Sequence, residues 1–118
     1  MASIEDAVAA ALRRDNLTLR SLVQEILRDH PRLASIPRPA TETQEILALA
    51  AGLLELIAER TGQAAPSWTR DIGAMPELFL LLEAASRMKR LRALCENESP
   101  GPLRKRGLLA PPDFLTFA

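Results

Sequence analysis

The sequence predicts an all-α protein, a compact bundle of about four main helices with short C-terminal helical turns. Three observations favour this fold class. Apolar residues recur at spacings of three and four in several segments, which is typical of helices with one buried face. No stretch of strand length alternates apolar and polar residues, and the chain has no tyrosine and only three phenylalanines. Proline and glycine residues separate the helical segments from one another.

The chain has 118 residues, of which 47% are hydrophobic, and this suits one domain with a substantial core. We expect a helical hairpin over residues 1–30 and a proline-rich linker over residues 31–41. Central helices should follow over residues 42–98, and a docked basic and apolar tail should complete the domain over residues 99–118.

The hairpin is predicted from two amphipathic segments joined by a tight turn. Ser3 is placed as the N-cap of the first helix, with Asp6 three residues further on, as in a capping box. Thr18 is the expected N-cap of the second helix, which should end at His30 because Pro31 follows.

The third helix has the strongest apolar pattern in the chain. Thr41 and Gln44 form a capping-box pattern at its start, and Gly62 is placed to end it. Its apolar face is wide, which predicts a central position in the bundle. Glu55 and Glu59 share a face of this helix, and we interpret them as solvated carboxylates.

A fourth helix is predicted to begin at Pro76 and to continue to about residue 98, because proline is favoured in the first turn of a helix. Its apolar residues should point into the core, and its basic residues should form an outer face near its end. The inward set is Leu78, Leu81, Leu82, Ala85, Met88 and Leu91.

The tail combines a basic triplet, Arg104, Lys105 and Arg106, with apolar residues on both sides. Ser99 should cap a short helical turn that Gly107 closes. Apolar side chains after this turn should dock on the core, so the triplet would be displayed on an ordered surface. The docking side chains are Leu108, Leu109, Phe114, Leu115 and Phe117. The alternative is that Arg104 and Arg106 pair internally with acids such as Glu96, Glu98 or Asp113.

Charge is segregated although the formal net charge is zero. Seven basic residues face two acidic ones between positions 87 and 106, whereas residues 31–86 carry four basic and seven acidic residues. A basic surface of this kind attracts acidic proteins or nucleic acid. The lone Trp68, in a loop beside Pro66, is interpreted either as a plug at the rim of the core or as an anchor for a partner.

No catalytic constellation is found. Cys95 and His30 are the only cysteine and histidine, which excludes an internal disulfide and the usual zinc ligand sets. The sequence has no phosphate-binding glycine loop and no metalloprotease motif. We therefore expect no enzyme, no cofactor and no metal site. No apolar run approaches the length of a membrane span, and the acidic start does not resemble a signal peptide, so a cytoplasmic protein without membrane contact is expected.

The C-terminal half resembles a group of small, poorly characterised bacterial proteins. The similar features are Pro66 and Trp68, the leucine-arginine pair Leu91 and Arg92, Glu-Ser-Pro at 98–100, the basic triplet, and Phe114 with Leu115. Members of that group are accessory or antitoxin-type proteins, some encoded beside nucleotidyltransferase-like toxins. The resemblance implies a protein partner, such as the product of a neighbouring gene, and brings no catalytic residues. Gly107 departs from the common form of the group.

We therefore predict a non-enzymatic interaction or regulatory module, antitoxin-like in character. Its predicted partner-binding residues are Trp68, Arg92, Arg104, Lys105 and Arg106. The alternative is a nucleic-acid-binding regulator that uses the same basic surface or the N-terminal hairpin, although the second helix of that hairpin carries few basic residues. A homodimer is a further possibility if one chain cannot cover the wide face of the third helix.

Overall fold

A computed structural model of the chain describes residues 2–116, which contain five α-helices. The helices are α1 (Ile4–Leu12), α2 (Asn16–Asp29), α3 (Gln44–Thr61), α4 (Lys89–Glu98) and α5 (Gly101–Arg104). Three short 3₁₀ helices lie between them at Leu33–Ser35, Ser67–Asp71 and Glu83–Ser86. The predicted all-α class is confirmed.

The N-terminal helices begin and end largely as their capping residues dictate. Ser3 accepts a hydrogen bond from the Asp6 amide while the Asp6 carboxylate accepts from the Ser3 amide, so the predicted capping box is present. The predicted cap of α2 is wrong, because Asp15 is the N-cap and accepts from the amide and hydroxyl of Thr18. The helix ends at His30, as predicted.

The central helix α3 is buried on almost every side. From position 47 to position 58 every residue except Glu55 is buried. Gly62 ends the helix in a left-handed conformation with φ of 69°, which glycine adopts without steric cost. The expected capping box at Thr41 is absent, since Thr43 is the N-cap and no side chain bonds to the first amides.

The predicted helix from Pro76 to about residue 98 is wrong in its first half. Residues Phe79–Leu80 form a short strand, β1, which pairs in parallel with β2 at Leu108–Leu109. The amides of Phe79 and Leu81 donate to the carbonyls of Gly107 and Leu109, at 2.9 Å each. These bonds to the tail replace the bonds that a helix would make within itself. Leu78 and Met88, expected inside, are 74% and 57% exposed.

Arginine side chains hold separate parts of the chain together. The Arg14 Nε donates to the carbonyl of Leu80 at 2.8 Å, and its guanidinium lies 4.5 Å from the centre of the Phe79 ring. One terminal nitrogen of Arg60 donates to the carbonyls of Pro112 and Phe114 at the far end of the chain. These contacts fix β1 and the tail to the helical hairpin and to α3.

The apolar tail docks as predicted as far as the structure describes it. Phe114 and Leu115 are 8% and 5% exposed, and Leu108 is fully buried. The expected docking of Phe117 lies outside the described residues. The turn of α5 is also present, and Gly107 closes it with φ of 74°. The predicted cap is wrong, because Pro100 is the N-cap and the Ser99 hydroxyl donates to the Cys95 carbonyl and accepts from the Ala110 amide. Within residues 2–116, no helix has both the length and the apolar character needed to cross a membrane.

Candidate functional site

The basic triplet divides into one buried arginine and two exposed cations. Arg106 is only 3% exposed and forms a two-pronged ion pair with Glu55 on α3. Its Nη2 also donates to the carbonyl of Thr69 at 2.6 Å. The expectation that Arg106 is displayed at the surface is therefore wrong. It pairs internally, but with Glu55 rather than with Glu96, Glu98 or Asp113.

Glu55 is the acceptor at the centre of this buried cluster. Lys105 contributes a second cation, with its Nζ 3.0 Å from Glu55 Oε1 and its side chain 57% exposed. Burial acts to raise the pKa of Glu55, but hydrogen bonds from Arg106, Lys105 and Thr69 together outweigh burial and hold that pKa below its ordinary value. Glu55 is thus ionised at neutral pH, and its interpretation as a solvated carboxylate is wrong.

The turn that carries the triplet packs closely on α3. A Cβ atom added at Gly52 would lie 2.8 Å from Leu108 Cδ1 and 3.3 Å from Leu103 Cδ2. Only glycine leaves room for this approach, which places Arg106 beside Glu55. Arg104, two residues earlier, points outward and is exposed. No ion pair or side-chain hydrogen bond of Arg104 is found among residues 2–116.

Trp68 holds the linker to the core. Its ring is half-buried and packs against the main apolar cluster, and its Nε1 donates to the carbonyl of Ile36 at 2.9 Å. This bond satisfies a carbonyl on a residue that is only 5% exposed. The adjacent residue, Thr69, contacts Arg106, so Trp68 lies next to the buried cluster.

A second set of cations surrounds the start of α4. We call residues 87–92 the α4 basic segment; its cations are Arg87, Lys89, Arg90 and Arg92, and all four are exposed. Arg92 donates to Glu96 on the same helix at 2.9 Å. In the part of the chain that the structure describes, the other three cations form no ion pair.

The backbone of α4 adds to this positive charge. The N-cap is Met88, which gives the first amides no side-chain acceptor, and no acidic residue lies in the first turn. The unpaired amides carry the positive end of the helix dipole. Met88 is 57% exposed among the cations. The result is a positively charged, exposed segment that includes one exposed apolar side chain.

The structure does not join all of the predicted partner-binding residues. Lys105 and Arg106 meet at Glu55, and Trp68 lies beside them. Arg92 belongs to α4, which packs mainly against the 3₁₀ helix Glu83–Ser86. Among the described contacts none links Arg92 to the triplet.

Sequence reasoning missed Glu55, although a signal was present. It is the one acidic residue in the long apolar run at the centre of α3, and a carboxylate in such a position is buried only when a cation pairs with it. The position of its partner 51 residues away could not be read from local spacing.

The two residues with possible nucleophilic or acid-base chemistry lie on separate elements. Cys95 is fully buried in α4, and burial, followed by the neighbouring charge of Glu96, raises the pKa of its thiol. A thiol with a raised pKa stays protonated at neutral pH and reacts poorly. His30 forms the C-cap of α2. Within residues 2–116, no group of three His, Cys, Asp or Glu side chains could hold a metal ion.

The second helix of the N-terminal hairpin offers little basic surface for a nucleic-acid groove. In α2, Arg20 donates to the carbonyl of Thr116 at 2.7 Å, and Arg28 lies 3.8 Å from Asp29. Both cations of the expected recognition helix therefore have partners within the chain.

No protein-family model, no curated protein and no solved structure matches this chain. Its function is therefore inferred from its own geometry and sequence.

Proposed function

We propose that this protein is a non-enzymatic interaction or regulatory module that binds an acidic protein surface through the α4 basic segment. The observation that carries the proposal is the exposed, unpaired group of Arg87, Lys89 and Arg90 around the uncapped start of α4.

The energetics of α4 support a binding role. Cations near a helix N-terminus oppose the dipole, and each such contact is unfavourable by about 0.3–1 kcal/mol at an exposed site. No carboxylate among residues 2–116 forms an ion pair with Arg87, Lys89 or Arg90 to offset this cost. A partner carboxylate would accept hydrogen bonds from the guanidinium groups of Arg87 and Arg90 and from the unpaired amides at the start of α4. Its negative charge would offset the unfavourable interaction between these cations and the helix dipole. Helix N-termini normally prefer acidic or capping residues, and departures from such preferences are common at functional sites.

Met88 supplies the apolar part of the proposed contact. Methionine is flexible and polarisable, so it packs against apolar surfaces of varied shape. An exposed methionine flanked in sequence by Arg87 and Lys89 matches a partner surface that has an apolar pocket and an acidic rim.

The remaining predicted residues take different parts in the proposal. Arg104 and Lys105 are exposed on the separate turn of α5, where Lys105 also pairs with Glu55, so neither belongs to the α4 basic segment. Trp68 would contribute indirectly, because it packs on the core next to Thr69, whose carbonyl accepts from Arg106. Arg106 is removed from the proposed surface because it is buried. An antitoxin-like role belongs to the proposal through the sequence resemblance alone.

The absence of enzymatic activity is part of the same proposal. The low reactivity expected of Cys95, and its separation from His30 in the fold, support it. A cytoplasmic location and the absence of a cofactor are likewise proposed.

The proposal is tested by recovery of the tagged protein from its source cells. Three forms are compared: wild type, a segment variant with Arg87→Glu, Lys89→Glu and Arg90→Glu, and a control variant with Arg28→Glu, Arg32→Glu and Arg38→Glu. The two variants carry the same change in net charge at different surfaces. Circular dichroism and thermal unfolding establish that all three are folded.

We expect a stoichiometric protein partner with wild type and with the control variant, and its loss from the segment variant. Recovery of that partner by all three forms would contradict the proposal. Nuclease-sensitive material lost from the segment variant would instead support the nucleic-acid alternative, whose affinity should fall steeply with salt as phosphate counterions are released.

A further inference from the structure

A groove with acidic residues in its lining lies beside α1 and the start of α3. Two adjoining cavities of about 400 and 220 Å³ share Leu12 as a common wall. They lie between α1, the start of α3, and the loop residues 39–41 and 75–79. We call them together the acidic groove. Its larger apolar lining residues are Val8, Leu12, Ile46, Met75, Leu78 and Phe79.

The charged residues of the acidic groove all have the same sign. Glu5, Glu45 and Glu77 line it and are exposed, and no basic side chain lines either cavity. Across residues 2–116 these three carboxylates form no ion pair. Leu78, which is 74% exposed, lines the larger of the two cavities. An apolar groove with unpaired acids fits a segment that combines cations with an apolar side chain.

The chain itself carries such a segment. The α4 basic segment presents exposed Met88 between Arg87 and Lys89, with Arg90 beside them, and its cations complement the three carboxylates in charge. None of its residues lines the groove of its own chain. The segment and the groove therefore both remain open to a second molecule.

We propose that the acidic groove of one copy of this protein receives the α4 basic segment of a second copy. Met88 would enter the apolar floor of the groove near Leu12 and Leu78, while Lys89 and Arg90 would pair with Glu45 and Glu77. The inference rests on the proposed function in that it names one acidic partner for the same segment.

A two-fold arrangement would make this contact twice. In sequence, Phe79 is the last residue that lines the groove. The basic segment begins at Arg87, after the 3₁₀ helix Glu83–Ser86. In the proposed dimer, a two-fold axis relates the groove and segment of one copy to the segment and groove of the other. Such an isologous contact closes on itself and gives a dimer rather than a filament.

The test measures the mass of the full chain by sedimentation equilibrium over a range of concentrations. A groove variant carries Glu45→Lys and Glu77→Lys, and a segment pair variant carries Lys89→Glu and Arg90→Glu. Each of these two variants should raise the Kd of the dimer at least about tenfold, because like charges would face each other at both contacts. A control with Glu59→Lys and Glu98→Lys matches the charge change of the groove variant outside the groove.

Mixing the two variants provides the decisive result. In a heterodimer each contact would again join opposite charges, so an equimolar mixture should recover dimer with a Kd within about threefold of wild type, a difference below about 1 kcal/mol. A monomeric wild type at about 100 μM, which bounds the binding free energy near −5.5 kcal/mol, would overturn the inference. A mixture that stays monomeric while wild type dimerises would also overturn it.

The two proposals fail in distinguishable ways. The groove variant retains the α4 basic segment, so it should lose self-association and still recover a different acidic partner from cells. A monomeric wild type that nevertheless binds such a partner would end the dimer inference alone. If wild type dimerises but neither wild type nor any variant recovers another protein from cells, binding to a different protein is contradicted.

Discussion

Replacing Glu55 with glutamine should be among the most destabilising single changes in this protein. The substitution leaves the guanidinium of Arg106 buried without its carboxylate, at a side chain that is 4% exposed. Breaking a buried ion pair on one side costs about 3–5 kcal/mol. Arg106 keeps the Thr69 carbonyl as an acceptor, but a neutral amide cannot balance its charge.

The converse substitution, Arg106→Met, should cost less. Glu55 would retain Lys105 at 3.0 Å, and Lys105 reaches solvent, so the remaining charge stays partly balanced. The double variant Glu55→Leu with Arg106→Met should recover much of the loss, because an apolar pair of similar volume avoids the desolvation of two charges. Arg104→Ala is the matched surface control and should change the free energy of unfolding by less than about 0.5 kcal/mol.

The assay is chemical unfolding by urea, supported by thermal scans. For a chain of this length a loss of 3–5 kcal/mol corresponds to a fall in Tm of about 12–20 °C. Equal unfolding free energies for Glu55→Gln and Arg104→Ala would refute the assignment of Glu55 and Arg106 as a buried ion pair.

The same pair gives the stability a defined pH dependence. The pKa of Glu55 lies below its ordinary value of 4.5 in the folded protein, so the folded state binds this proton less readily than the unfolded chain. The stabilisation is therefore complete above the unfolded pKa and is lost as pH falls through the folded pKa. Wild type should lose more stability than Glu55→Gln between neutral pH and the acid range, and parallel curves would contradict this.

Three further predictions concern stability. Gly52→Val should cost about 2 kcal/mol, since a Cβ there meets Leu108 at 2.8 Å, and unchanged urea unfolding would count against this close approach. Trp68→Phe should cost about 1–2 kcal/mol because the Ile36 carbonyl loses its donor. A variant with the same Tm as wild type would contradict this. Asp15→Ala should cost about 1 kcal/mol as the N-cap of α2 is lost, and Thr18→Ala, which removes only a hydroxyl partner, should cost less in the same assay.

Local chemistry in the sequence predicted several helix ends correctly. The capping box of Ser3 and Asp6, the proline after His30 and the glycine at position 62 each act within a few residues of where they stand. Such signals depend on the chain immediately around them. The cap of α2 was misplaced because Asp15 and Thr18 are both good capping residues and bond to each other.

The stretch after Pro76 could not be predicted in the same way. Its run of leucines satisfies a helical pattern and also suits a short buried strand, and short apolar runs do not separate the two. The deciding hydrogen bonds come from Gly107 and Leu109, far along the chain. Because the predicted helix ran without a break from Pro76 to about residue 98, the sequence did not predict that α4 begins at Lys89. The unpaired amides and the exposed Met88 at that start form part of the candidate site.

The basic residues of the candidate site were predicted from charge counts, but their roles were not. Arg104 and Arg106 belong to the same triplet, yet one is exposed and the other buried. The difference depends on Glu55 and on the close packing at Gly52, both on α3. Contacts between distant parts of the chain therefore decide which cations reach the surface.

The affinity of the recovered protein partner for the purified chain tests the central claim most directly. Isothermal titration would compare wild type with the variant carrying Arg87→Glu, Lys89→Glu and Arg90→Glu, and with the control carrying Arg28→Glu, Arg32→Glu and Arg38→Glu. The account predicts a Kd at least about 100-fold weaker for the segment variant, or about 2.7 kcal/mol, and little change for the control. Equal affinity of all three forms would contradict binding through the start of α4.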